Sequence, residues 1–232
     1  MLKRLFLCIF LYLSVYTYTY GQIKFSDLPD TLQVDTDTKY AVHWDVAFTP
    51  VVTQNDATDE LLEHMLYAVR MLSVNGSLVD GYLIYEHPDS SMDDLYKIGM
   101  YLYRCSLPDP YSWFIGFKKS DTLVFGIKDM SDVFRANIAE AAVFIENYSP
   151  VVAFRLDSGE RTCVTDAFES FTERCLFKII AIEVYDNLLM TQLLNAPIVR
   201  GVVEIADLPV PIINKIFSYT VAEIEEKIVV CD

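Results

Sequence analysis

Three histidines, five cysteines and a surplus of acids carry whatever chemistry this chain can do. His43 and Asp45 stand two apart on a stretch that reads as a strand, so they share one face. That spacing suits a metal ion or an acid/base pair, and a hydrogen-bonded core histidine is the simpler reading. His64 follows Glu60 by four residues on a helical pattern, which is ordinary surface pairing. His87 precedes Pro88 in a polar turn, and the acidic pairs Asp35/Asp37 and Asp93/Asp94 read as solvated loops without a ligand framework. Lys118 and Lys119 make a dibasic hairpin tip. No HExxH pair, nucleophile elbow, phosphate loop or dinucleotide fingerprint occurs, so neither a metal nor a cofactor is expected.

The cysteines are read against the N-terminus. Lys3 and Arg4 precede an apolar run from Leu5 to Val15, and Thr19 and Gly21 fall at −3 and −1 of a cleavage site before Gln22. Residues 1–21 therefore read as a secretory signal and residues 22–232 as one domain. The run is too short for the roughly 20 apolar residues of a spanning helix, and no membrane insertion is expected. Loss of Lys3 and Arg4, with no acid removed, takes the net charge from −15 to −17. Such a surface attracts basic partners and repels nucleic acid and anionic membranes. Cys8 leaves with the signal. Cys105, Cys163, Cys175 and Cys231 then form an even set in an oxidising compartment, which suggests two disulfides. Three pairings are open. The short local loop favours Cys163–Cys175, which leaves Cys105–Cys231. Asn75-Gly-Ser and Asn147-Tyr-Ser are glycosylation sequons, each placed in a turn after an expected helix.

These residues need elements to hold them. Residues 40–49 read as a strand. The spacing of Leu61, Leu62, Met65, Leu66, Val69 and Leu72 predicts a helix, and 78–86 a further strand. Ser91 and Asp94 could cap a helix, but the aromatics and glycine of IGMYLYRC favour a strand over 97–105. WFIGF and TLVFGI, separated by a polar tetrapeptide, predict a β-hairpin. A helix capped by Ser131 is expected over 131–146, a strand over 150–156, and one long or broken central helix over 165–194. A strand at 198–206 and a helix at 211–226 close the chain. The order predicts an α+β fold: a single domain with a mixed, mostly antiparallel sheet packed on a long central helix.

The hairpin WFIGFKKSDTLVF resembles that of the ribosome-inactivating proteins, the ricin A chain and Shiga toxin A family, through Trp113, Gly116, Phe117, Lys118 and Phe125. WDVAFT and the helix ending LYAVRMLS look like that family's first strand and helix. YLIYEHPDSSMDDLYKIGMYLYRC looks like the strands before the hairpin, and PVVAFRLDSGERT like the strand and loop beyond it. CLFKIIAIEVYDNLLM is similar to the central active-site helix, and PIVRGVVEIADLPVPIINKIF to the closing strand and helix. The resemblance implies an rRNA adenine N-glycosidase (a hydrolase and toxin) acting on ribosomal RNA. It holds the extruded base between aromatic rings and uses a helix-borne glutamate against the oxocarbenium-like sugar. By position that glutamate is Glu183, and the first stacking aromatic is Trp113 or Tyr111. The arginine expected one turn later is Asp186, and the second tyrosine falls in Ser158-Gly159-Glu160. Loss of one preorganised group of this kind costs about 3–4 kcal/mol of transition-state stabilisation. The alternative is a secreted, acidic, non-catalytic effector that captures a basic partner protein.

Overall fold

A computed structural model describes residues 31–36, 38–72, 75–118, 122–156, 162–185, 187–198, 201–206, 208, 210 and 212–218. The expected signal peptide, Asp186, the 158–160 turn, Lys119 and Cys231 lie outside them. The elements run β1 (Lys39–Pro50), α1 (Asp59–Val69), β2 (Ser77–Leu78), β3 (Ile84–His87), α2 (Met92–Arg104), β4 (Tyr111–Lys118), β5 (Thr122–Asp129), β6 (Phe134–Glu146), β7 (Ser149–Arg155), α3 (Thr162–Arg174), β8 (Ile179–Val184), β9 (Asn187–Leu193) and β10 (Val202–Ala206). Residues 212–218 are helical. The fold is α+β, with two antiparallel sheets. One has six strands in the order β10-β7-β6-β1-β8-β9, and the other four in the order β2-β3-β5-β4.

Three apolar layers hold these elements. Val42, Trp44, Val46 and Phe48 alternate along one face of β1 and pack with Phe168 and Phe171 of α3 and with Ile213 and Phe217. A second cluster joins the outer face of the small sheet to α1 and α2 through Leu61, Met65, Ile98, Leu102, Phe117 and Phe125. The third lies between the sheets: Val51, Ile84, Phe114, Val124, Ala181 and Leu188. Fully burying one such aliphatic or aromatic side chain contributes about 1.5–3 kcal/mol.

Four expectations are corrected. Residues 97–104 belong to α2, a helix rather than a strand, and Cys105 follows its last turn. Ser91 Oγ accepts from Asp94 N at 3.3 Å and Asp94 Oδ2 accepts from Ser91 N at 2.9 Å, which completes a capping box. Ile98 and Leu102 turn inward while Tyr96 and Tyr103 stay exposed. Helical periodicity and the cap outweigh aromatic β-propensity. Residues 134–146 form β6, not a helix. Ala136 and Ile138 point inward, then Ala141 and Val143 do, so the alternation slips phase at Ala139–Glu140. The slip lies opposite the register shift between Ala41 and Trp44 of β1. A phase slip in a period-2 pattern imitates helical spacing.

The long helix over 165–194 is the third. Only α3 is helical. The chain then turns through Phe177, whose φ is +62°, and returns as the hairpin β8–β9. Ile180 to Val184 are buried on both faces, a continuous apolar run whose period cannot separate strand from buried helix. The fourth is a disulfide. Cys163 lies in the first turn of α3 and Cys175 just beyond the last. Twelve residue steps along the helix separate their Cα atoms by roughly 18 Å, far past the ~7 Å that a bridge tolerates. Cys175 is a buried free thiol.

Gly126 sets how closely the strands of the small sheet pack. A Cβ on Gly126 would lie 2.5 Å from Leu83 O and 2.5 Å from Phe114 Cζ. Gly126→Ala should cost about 1–3 kcal/mol as overpacking, read as a lower urea midpoint. Gly99, inside α2, has nothing within 4 Å of such a Cβ. Gly99→Ala should therefore stabilise by about 0.5–1 kcal/mol in the same assay. Ser91→Ala should cost about 0.5–2 kcal/mol. The Ser91 backbone and hydroxyl hold the Asp94 carboxyl below its ordinary range. This cap therefore contributes fully above the ordinary aspartate pKa and is lost as pH falls through the lowered native value. The penalty of Ser91→Ala should shrink in acid, as a urea-midpoint series against pH would show.

Candidate functional site

Glu183 is the residue to which the sequence assigns the central chemistry, and β8 buries it. It pairs with Ala47 of β1 on one side and Leu188 of β9 on the other. Its side chain shares the face of Ala181 and turns into the layer between the sheets. There Lys128 of β5 meets it. Lys128 Nζ donates to Glu183 Oε1 at 2.7 Å and Oε2 at 2.5 Å, and the two side chains are 7% and 3% exposed. Backbone pairing brings them together: Val51, just after β1, bridges to Lys128 and donates its N–H to Ile179 O. Thr49, two residues before that bridge on the same face, is wholly buried and its hydroxyl finds no hydrogen-bond partner among the described residues.

Trp113 and Tyr111 do not join this pair. Along β4, Tyr111, Trp113, Ile115 and Phe117 turn toward α1 and α2, while Phe114 turns toward the other sheet. Lys128 pairs with Ser112, on Phe114's side of the strand. The aromatics and Glu183 are therefore separated by the thickness of the small sheet. Trp113 has a different partner, since its Nε1 donates to Cys105 O at 3.0 Å. The arrangement holds a carboxylate against an ammonium in an apolar layer, where the ring that β4 supplies is Phe114 rather than Trp113 or Tyr111. Its chemical capacity is charge neutralisation between sheets.

The other candidates are placed as follows. His43 is exposed on β1, not a core residue, and its carbonyl accepts from the Tyr185 hydroxyl. Asp45 reaches Arg135 at 3.4 Å. His87, at the end of β3 before the polar turn, is buried, with Nδ1 2.6 Å from Ser90 Oγ. Lys118 pairs with Glu86 at 2.9 Å. Asn75 is exposed. Asn147 is exposed too, and it sits with Tyr148 at positive φ in the β6–β7 hairpin turn rather than after a helix. Among the described residues no group of three His, Cys, Asp or Glu is placed to hold a metal ion. No helix among them is long and apolar enough to cross a membrane.

Sequence reasoning missed two partners. Lys128 was findable: it shares the inward parity of Val124 on β5, so a charge there needs a buried counter-charge. The pairing of Cys105 Sγ with His64 Nδ1, 3.1 Å apart, joins residues 41 apart in sequence and leaves no local signal. No protein-family model matches the chain, and no curated protein matches it.

Lys128→Met, which strips the ammonium from a buried carboxylate, should destabilise by about 3–5 kcal/mol. The double change Lys128→Met with Glu183→Leu should recover most of that loss. Urea midpoints of the three proteins check both statements.

Proposed function

We propose that this chain is a secreted, acidic, non-catalytic protein that binds a basic partner protein. The observation that carries the reading is the charge: 33 acids against 18 lysines and arginines, for a net −15. Many of the acids stand in solvent, among them Asp59, Glu60 and Glu63 on α1, Asp93 on α2, Glu140 and Glu146 on β6, and Glu204 on β10. Such a field speeds encounter with cations and opposes docking to a polyanion such as rRNA.

The burial of Glu183 against Lys128 supports the non-catalytic part. A glycosidase carboxylate must reach the sugar carbon, and this one is spent on an ammonium inside the protein. The likeness to ribosome-inactivating proteins then lies in the scaffold: the Trp113–Phe125 hairpin and the opening strand and helix. It does not extend to the segment likened to the central helix, which is β8 and β9.

Two measurements test the reading. Ribosomes treated with the purified protein should release no adenine. Immobilised protein should retain basic proteins from conditioned medium at low salt and release them as salt shortens the screening length. Adenine release that is lost in Glu183→Gln, or capture of partners that are not basic, would overturn it.

A further inference from the structure

The Cys105–His64 contact lies outside everything the binding reading uses. Cys105 follows the last turn of α2 and is fixed from three directions. Its N–H donates to Tyr101 O at 3.0 Å, its carbonyl accepts from Trp113 Nε1 at 3.0 Å, and its sulfur stands 3.1 Å from His64 Nδ1. His64 is presented by α1, whose Leu61, Met65 and Ala68 are buried beneath it. The thiol is partly exposed, and so is the imidazole. Tyr101 hydrogen-bonds the sulfur, and Tyr67, 63% exposed, lies near the Tyr101 hydroxyl. The sulfur thus opens to solvent beside aromatic surface.

From this geometry we propose that Cys105 and His64 form a nucleophilic thiol site that takes a disulfide as its substrate and leaves Cys105 in a mixed disulfide. In the step, His64 Nδ1 accepts the proton from Cys105 Sγ as the sulfur attacks the nearer sulfur of the incoming disulfide. The new S–S bond forms, the old one breaks with its electron pair on the departing sulfur, and that sulfur takes the proton back from His64. One thiol and one disulfide give one mixed disulfide and one thiol, so the incoming disulfide is the only oxidant needed.

His64 acts as general base toward the Cys105 thiol. Glu60 Oε1 stands 4.0 Å from Nε2 and is well exposed, so solvent screens its influence. Tyr101 stays a hydrogen-bond donor to the sulfur, since burial, first, and the contact with Cys105 push its pKa up to about 12. Cys175 provides an internal contrast. It is fully buried, and burial pushes its thiol up to about 11.

The test uses the full chain, isolated without reductant, and cystamine as the disulfide. Its cationic ends suit an acidic protein. Peptide mass mapping should find the adduct on Cys105 and not on Cys175. His64→Gln should slow adduct formation on the order of 10²-fold, while Glu60→Gln, at an exposed position, should leave the rate within a few-fold. Recovery of Cys105 as a bridge to Cys231 would overturn the proposal, as would an unmodified Cys105 or a folded His64→Gln protein that reacts at the wild-type rate.

Discussion

The contact between Lys128 and Glu183 governs how the two sheets can meet. An isolated charge in that layer would be far too costly to keep, so each residue makes the other tolerable. β8 cannot turn Glu183 inward unless β5 supplies Lys128, and the Val51 bridge sets the register that aligns them. Pairing of this kind adds little net stability over an apolar substitute, but breaking half of it is expensive. Its effect is on specificity, because slipping β5 by one residue would aim Lys128 at α1 and α2 and leave Glu183 without its ammonium. The neighbouring glycine agrees. A Cβ on Gly116 would stand 2.9 Å from Leu188 Cβ, so β4 can lie against β9 only with glycine there.

That constraint also explains which parts of the chain were readable in advance. β1, α1 and the β4–β5 hairpin each bury one face against one layer, and their periods are plain. β8 is buried on both faces, by the large core through Ile180, Ile182 and Val184 and by the second sheet through Ala181 and Glu183. A strand between two layers loses its alternation and reads like a buried helix. β6 failed for the opposite reason: its alternation exists but is broken by one phase slip at Ala139–Glu140. In α2 the deciding signal is the capping box spelled by Ser91 and Asp94, and the tyrosines beside it imitate strand composition. Those tyrosines stand in solvent, where strand propensity has little to act on.

The candidate site was legible in identity and not in role. Glu183 stands out in the sequence as a lone acid in an apolar run, which marks a residue with something to hold. What it holds cannot be read from the segment, because Lys128 lies 55 residues earlier. A buried carboxylate in an apolar stretch is equally the signature of a catalytic acid and of half an ion pair, and only the partner distinguishes them. Trp113 shows the same ambiguity. An aromatic three residues before a glycine in a hairpin suits base stacking, but parity along β4 decides which face the ring takes. The ring faces α1 and α2, where it fixes the backbone of Cys105.

The two faces of the small sheet therefore carry different chemistry. Toward the large sheet lie fixed, neutralised charge and close packing, where substitution is felt as stability. Toward the helices lie a half-exposed thiol, an imidazole and several solvent-facing tyrosines, where substitution can change reactivity while the inter-sheet layer stays intact. Leu123, Phe125 and Ile127 on β5 pack on the helical side while Val124 and Lys128 pack on the other, so one strand serves both. The alternation that makes β5 a strand also keeps the two chemistries apart. The thiol can react in solvent without disturbing the buried charge behind it.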